Sequence, residues 1–518
     1  MESLRFSSQQ GRDYRRFVAP APPHNRSPTI NACLGILPRC CNGLARTVIT
    51  DARENLPEVL EAEVAIAGGG PAGIVLALEL AERGRKVLLI EGGGRNSPEG
   101  GMSLYQNTTS GRSYPLTGSR LRWLGGTTNH WGGWVRPFDE RDFSDEPTGE
   151  MPGWPIGAGE LGGWYRKAAD WCEVGSDKYD PERIGLEDRA RLLDLTDTGF
   201  RHRIFRFSPP TRFGTRYREA LEQTDKVDCR VNLNLVDLEQ SDSRVRRARA
   251  VTLDGKACTV RADHFVIAMG GVENARFLLD QEVVPGNQSD LVGRCFMDHF
   301  GFTPGLMLAA EGLQYERGQI PGEDLMTVMA PEPGTEGPNS CVLVQATAPD
   351  DVLPPAYWTN PAIGGDSAGH YSLSMINAPT PHPESRITLT EERDALGMRR
   401  PNLHWHLPST EFRPVIALFE RWMDALSARN QARIKWNRKD APGPDDFVGV
   451  GYHHMGTTRM SSSPDHGVVN PDGRVWDRDN LYIAGSSVYP AAGFSNPTLT
   501  IVALASRMAE HLHRQLEG

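Results

Sequence analysis

Long apolar runs are missing from this 518-residue chain. No stretch reaches the roughly 18 consecutive apolar residues that a membrane-spanning helix needs, so no span is expected. Positive charge is also in short supply. The 56 Lys and Arg face 66 Asp and Glu, a net −10 at pH 7, and that balance excludes a general nucleic-acid surface. The 8 cysteines are Cys33, Cys40, Cys41, Cys172, Cys229, Cys258, Cys295 and Cys341, and none falls in a Cys-x-x-Cys spacing. That spacing rules out paired zinc knuckles and a Cys-x-x-Cys-His haem attachment, and it signals no dense disulfide framework. Mostly isolated cysteines fit a reducing compartment. The expected location is the cytoplasm, with export by a twin-arginine route or through a partner as the alternative.

What is present is ordinary in bulk and specific in detail. Apolar content of 39% and charged content of 24% match soluble proteins, and the length implies several layers or domains. Residues 1–50 stand apart: polar, basic, and rich in Pro and Ser. Such a segment buries too little to fold, so a disordered extension is expected. Arg15 and Arg16 resemble the start of an export signal, but the apolar run after them, "ACLGIL", stops at Pro38. A flexible extension or a misplaced start therefore fits better than a signal peptide.

The first strong motif is "EVAIAGGGPAGIVLALELAERGRKVLLIE". A short apolar strand, a helix of 3.6-residue period and a second apolar strand follow one another. Gly68, Gly70 and Gly73 lie between the first two. Gly68 permits the tight turn, Gly70 lets a pyrophosphate approach the backbone, and Gly73 lets helix and strand pack closely. Pro71 and Ala72 begin the helix, whose positive end faces the phosphates. Glu91 closes the second strand, where an acid binds ribose hydroxyls. This predicts a dinucleotide site, either NAD or FAD.

Further glycine motifs lie far downstream. They are "LGGTTNHWGG" (Leu124 to Gly133), "HFVIAMGGVENARFLL" with Gly270 and Gly271, and "NLYIAGSSVYPAAGFSNPTLTIVALASRMAEHL" at the end. Repeated strand-to-glycine transitions predict one sheet assembled from distant segments, contacting an extended cofactor along its length. With the fingerprint, "LVGRCFMDHF", "RITLTEERDALG", "GYHHMGTTRM" and "GVVNPDGRV", this order resembles the glucose–methanol–choline (GMC) oxidoreductases. Within that family it is most similar to bacterial sugar and glycoside dehydrogenases and pyranose oxidases. The resemblance covers residue 48 to the C-terminus.

The resemblance implies an α/β fold. A Rossmann-like FAD-binding domain of the GMC and p-hydroxybenzoate-hydroxylase type is interleaved with an α+β substrate domain containing an antiparallel sheet. The FAD part is placed at 51–136, 226–299 and 446–518, and the substrate part at 137–225 and 300–445. FAD contacts are implied for Gly68, Gly70, Pro71, Ala72, Gly73 and Glu91. They are also implied for Gly125, Gly126, Thr127, Thr128, Asn129, His130, Val236, Gly270, Gly485, Ser486, Asn496, Pro497 and Thr498. His130 sits where some relatives bond a histidine to the flavin. Non-covalent FAD is favoured here, with the covalent link as the alternative. Many members carry Asp in the last strand's loop, where this chain has Gly485 and Ser486, so backbone N–H and hydroxyl contacts are expected instead.

The paired histidines of "GYHHMGTTRM" offer two chemistries. A metal needs three or four ligands, neighbouring strand residues point to opposite faces, and no metal site is expected. Proton transfer fits better, because alcohol oxidation removes a hydride from carbon and a proton from oxygen, and imidazole accepts protons near neutrality. The family's catalytic histidine lies three residues before "GT", which implies His453; His454 is expected to be buried and hydrogen bonded. Asn496 is implied as the second group, orienting the hydroxyl because an amide is no base; helix capping is its other reading. The helix from Pro497 would present its positive end to the flavin.

The expected activity is FAD-dependent oxidation of a CH–OH group, of a sugar or glycoside, by hydride transfer to flavin N5. The alternatives are a flavin-bearing subunit relaying electrons to a cytochrome or quinone, and oxidation of a non-sugar alcohol. Expected partners are the small substrate and an electron-acceptor protein. "SCVLVQATA" and "HYSLSMINA" read as strands of a sheet roofing the flavin. Tyr357, Trp358, His370, Tyr371, Asn377 and Trp405 are candidate substrate contacts there.

Overall fold

The computed structural model describes residues 49–144, 149–347, 368–436 and 448–518. The expected N-terminal extension up to residue 48, and Tyr357 and Trp358, lie outside the described residues.

The first sheet grows from the glycine motif. Val59–Ala67 pairs in parallel with Val87–Ile90 on one side and Ala257–Ile267 on the other. Val227–Val231 and Thr50–Asp51 extend the first side. Leu481–Ile483 adds in parallel to the far end of Ala257–Ile267, whose near end begins an antiparallel run through Arg244–Val251 to Asn234–Ser241. All four residues of Val87–Ile90 are buried, as expected for a parallel strand covered on both faces.

Helix Pro71–Glu82 packs on this sheet, and helix Thr498–Gln515 packs against both that helix and Ala158–Trp171. Pro71 starts the first of them, where a missing N–H costs nothing. The fully buried Glu79 ties the three. Its carboxylate accepts from Ser506 Oγ (2.7 Å) and Trp171 Nε1 (3.0 Å), and pairs with Lys167 (2.5 Å) and Arg83 (3.1 Å). Helix Ala158–Trp171, which the sequence segments assign to the substrate part, therefore packs with the nucleotide layer.

The second sheet is antiparallel. Its order is Ala432–Trp436, Phe300–Ala310, Ala368–Asn377, Ser340–Ala346, Leu325–Pro331, Phe200–Phe207, Trp134–Val135. The strands expected from "SCVLVQATA" and "HYSLSMINA" are neighbours in it. Trp134–Val135 and Gly449–Val450, outside the segment bounds given to the substrate part, also join this sheet. One face packs on helix Phe412–Ala428, with Met329, Val342, Leu373 and Met375 against Val415, Phe419 and Trp422. The other face carries Phe205, Met326, Val328, Cys341 and Leu343, which pack on Phe494 two residues before Asn496. That face is the roof. A small third sheet joins Thr108–Gly111 to Arg386–Arg393 and Arg399–Trp405. No described helix is long and apolar enough to cross a membrane.

Candidate active site

At the nucleotide end, strands stop and glycines take over. Gly68 adopts φ +117°, and a Cβ there would lie 2.3 Å from the carbonyl oxygen of Ala268. A Cβ on Gly73 would lie 1.9 Å from the oxygen of Gly68, so only glycine lets the helix start this close to its strand. A Cβ at Gly70, Gly270 or Gly485 would meet nothing within 4 Å, so these backbones face open space. Glu91 is buried and accepts from the N–H groups of Gly69 (2.9 Å) and Gly93 (2.8 Å). It thus clamps the phosphate turn to its own strand end, while each oxygen keeps a second lone pair for a ribose hydroxyl. Burial raises its pKa, and these amide donors oppose the rise. Val236 sits where the register of its strand shifts, out of the ladder with Arg244–Val251.

The loop from Leu124 is stitched to that turn. Gly125 N donates to Gly69 O (2.7 Å). Thr128 Oγ1 donates to Gly125 O (2.6 Å), and the Asn129 amide donates to Leu124 O (3.1 Å) and Gly126 O (2.9 Å). The Thr128 and Asn129 side chains therefore shape the loop. His130 follows at the surface, its ring making no hydrogen bond to a described residue. Ser486 Oγ donates to His454 O (2.7 Å), so this hydroxyl reaches a cofactor only as an acceptor.

A dinucleotide fits this end. Open backbone, a buried acid and a helix start converge where parallel strands terminate. Helix Thr498–Gln515 begins after Pro497 with no side-chain cap. Its first N–H groups lack intrahelical partners, and its end carries positive partial charge. Asn496 is not the cap, and its amide makes no hydrogen bond to a described residue. The capping reading of Asn496 is thus corrected, and the amide is left available.

His453 stands at the other end of the site. Its turn is pinned by Asp298, whose buried carboxylate accepts from the N–H of Tyr452 (3.0 Å), the N–H of His453 (2.8 Å) and the hydroxyl of Tyr114 (2.6 Å). Tyr452 is held at φ +59°, a region that bulky residues rarely adopt. The imidazole Nδ1 of His453 lies 2.9 Å from Nδ1 of His299, and His299 Nε2 lies 2.6 Å from Gly493 O. A carbonyl only accepts, so His299 Nε2 carries the hydrogen. Burial lowers the His299 pKa to about 4, so its Nδ1 is a bare acceptor at neutral pH. His453 Nδ1 must then be the donor, which leaves Nε2 of a neutral His453 unprotonated. The same chain of bonds ties His453 to the loop that carries Asn496 three residues after Gly493. Burial, then His299 and His454, hold the His453 pKa well below its usual value.

His454 faces away. Its Nε2 donates to Ser119 Oγ (3.0 Å), whose own hydrogen goes to Leu116 O (2.7 Å). Burial lowers its pKa to about 3. Gly271 packs against it: a Cβ there would lie 2.2 Å from His454 O. Among the described residues no three His, Cys, Asp or Glu side chains converge as a metal set.

Sequence reasoning missed Asp298, His299 and Tyr114. The signal was an Asp-His pair at the edge of a strand, inside the quoted "LVGRCFMDHF". Three candidate substrate contacts are corrected. Tyr371 and Trp405 are buried in the core on the helix side of the roof, and the Tyr371 hydroxyl is occupied by Leu313 N and Ala310 O. The Asn377 amide is likewise buried, donating to Phe300 O (3.0 Å).

Comparison with known proteins agrees with this geometry. The chain matches the GMC oxidoreductase family over residues 381–505 and an FAD binding domain over residues 61–296. It is 23% identical to the fructose dehydrogenase large subunit of Gluconobacter japonicus, across 89% of this chain and 99% of that one. It is 46% identical to the C-glycoside 3-oxidase of Microbacterium trichothecenolyticum over a shorter stretch, 30% of this chain and 28% of that one. The pyridoxine 4-oxidase structure from Mesorbium loti shares the fold, with a TM-score of 0.55, 18% identity, and coverage of 88% of this chain and 99% of that one. A glycine-walled dinucleotide cradle beneath an antiparallel roof, with the two matches spanning both parts, places this chain in the GMC oxidoreductases as an FAD-dependent enzyme.

Proposed function

We propose that this enzyme oxidises a CH–OH group of a sugar or glycoside, with His453 as the general base and Asn496 orienting the hydroxyl. The observation that carries the reading is the bond chain from Gly493 through His299 to His453. It fixes a neutral imidazole with a bare Nε2 beside the loop that presents an unengaged amide. FAD, when bound, supplies the hydride acceptor. Asn496 donates to the substrate hydroxyl oxygen, and His453 Nε2 takes the hydroxyl proton. Asp298, with Oδ1 4.0 Å from His453 Nδ1 and a pKa raised by burial to about 7, offsets part of the charge of the imidazolium that forms.

The FAD is held by the glycine turn, Glu91, the Leu124 loop, Gly270, Gly485, Ser486 and the start of the closing helix. Residues 51–136, 226–299 and 446–518 supply this part; 137–225 and 300–445 supply most of the roof. Sugar chemistry is supported by the names of the relatives, a fructose dehydrogenase subunit and a C-glycoside 3-oxidase. The first of these is a large subunit, which favours an electron-acceptor protein as a partner here too.

Anaerobic mixing of the purified holoenzyme with sugars, glycosides and simple alcohols tests the reading. Bleaching of the oxidised flavin absorbance by a sugar is the expected result, and admitting air then separates oxidase from dehydrogenase. A yellow protein that no alcohol bleaches would overturn the proposal.

A further inference from the structure

The roof carries positive charge without matching acceptors. Arg201 and Arg203 lie two apart on Phe200–Phe207, on the same face as Phe205. Phe205 and Phe494 pack edge to face, 6.1 Å between ring centroids. Arg136 joins them from the next strand's end. Its guanidinium lies 5.0 Å from the Phe494 ring centre, and Nη1 donates to Ser495 Oγ (3.1 Å). The cluster therefore abuts the two residues before Asn496.

Neither Arg201 nor Arg203 makes a side-chain hydrogen bond to a described residue, and the Nε atoms of all three arginines are buried without an acceptor. Arg136 is 4% exposed and Arg203 7%, so bulk water does not serve them. A buried charge left unpaired is costly, and proteins keep one where a ligand completes it. The local carboxylates do not suffice. Asp139 is shared, 2.6 Å from Arg136 Nη2 and 3.5 Å from Arg203 Nε. Asp142 already accepts from Asp139 N (2.7 Å) and the Asn339 amide, and burial raises its pKa to about 7, so it offers only part of a charge at neutrality. Arg201 forms no ion pair among the described residues; Asp139, Glu332 and Asp180 act on it only from farther away.

We propose that Arg201, Arg203 and Arg136 form an anion subsite in the roof, and that the alcohol oxidised here carries a carboxylate or phosphate group that they bind. Arginine forks match both anions in bidentate geometry. The subsite rests on the alcohol-oxidation reading above and narrows its substrate class to acidic sugars.

The test compares matched ligands on the holoenzyme: glucose, glucuronate, gluconate and glucose 6-phosphate, each mixed anaerobically while the flavin absorbance is followed. An acidic member is expected to half-saturate at about ten- to hundredfold lower concentration than glucose, as charge-assisted hydrogen bonds warrant. Which acid wins separates carboxylate from phosphate. In Arg203→Gln the acid-to-neutral preference is expected to collapse by a similar factor, and Arg203→Lys to restore part of it. Equal use of neutral and acidic sugars, or an equal loss for both in Arg203→Gln, overturns the subsite while leaving alcohol oxidation standing. Bleaching by none of a broad alcohol panel overturns both. Should Arg203→Gln lose its FAD, Arg201→Gln carries the same comparison with the same two outcomes.

Discussion

The floor and the roof of this enzyme are built on opposite plans. In the floor, under the cofactor, nearly every polar group near the glycine turn has a partner inside the chain: Glu91 with two amides, Asn129 with two carbonyls, Gly125 with Gly69. What stays open there is bare backbone at Gly70, Gly270 and Gly485. In the roof the strands join into one sheet, yet the Nε atoms of Arg136, Arg201 and Arg203 are buried without acceptors. The floor recognises a fixed cofactor with main-chain geometry, which any sequence keeping its glycines can supply. On the function proposed above, the roof would read its substrate with side chains, through the arginine Nε donors left without acceptors.

The sharpest break between the two concerns chemistry without binding. His453→Ala is expected to keep its FAD and slow anaerobic flavin reduction about 10²- to 10⁴-fold, the span of general-base catalysis. Near-wild-type reduction would move the base elsewhere. Breaking the floor instead calls for Gly73→Val, which drives a side chain into the oxygen of Gly68. Overpacking of that kind costs about 1–3 kcal/mol or more, so the purified protein is expected to be low in FAD and lower in Tm, read by absorbance and calorimetry. A yellow, fully stable variant would show that the turn tolerates what its geometry forbids.

A finer cut separates His299 from His453. His299→Asn removes one hydrogen bond to the base, and kcat is expected to fall about tenfold with KM little changed. The pH profile distinguishes positioning from structure. The His453 pKa is depressed, so kcat/KM is expected to stay flat from neutrality downward and fall only below the usual histidine range. Removing His299, the second cause of that depression after burial, moves the acid limb upward.

His454 gives the smallest effect, on stability alone. Its folded pKa, about 3, lies below the unfolded value near 6.5, so the unfolded chain binds more protons between those values. The stability tied to neutral His454 is complete above pH 6.5 and drains as pH falls toward 3, by about 1.4 kcal/mol per unit at most. Asp298, whose pKa burial raises to about 7, acts in the opposite sense: its contribution is complete below the unfolded carboxylate value and lost as pH rises through 7. The Tm gap between wild type and His454→Asn is therefore expected to be widest above pH 6.5 and to narrow on acidification. A gap that ignores pH would assign His454 to packing only.

The floor was legible from the residues alone. Gly68, Gly70 and Gly73 before a periodic helix, with Glu91 a strand later, state a local geometry that needs no distant contact to read. The same holds for His453 ahead of Gly456-Thr457, once the resemblance supplies its role. Tertiary structure decided everything that depends on convergence. Tyr371 and Trp405 looked like pocket residues because alternation along a strand does not say which face meets the flavin, and packing on Phe412–Ala428 put them on the other side. Asp298 and His299 became part of the site only when Phe300–Ala310 brought them beside residues 452 and 453, more than 150 positions away. Arg136, Arg201 and Arg203 are three ordinary charges until two antiparallel strands set them on one face, where folding takes the water from their Nε atoms. Turns and helix starts are fixed by neighbours in sequence, and unmet charge exists only after folding has taken the solvent away.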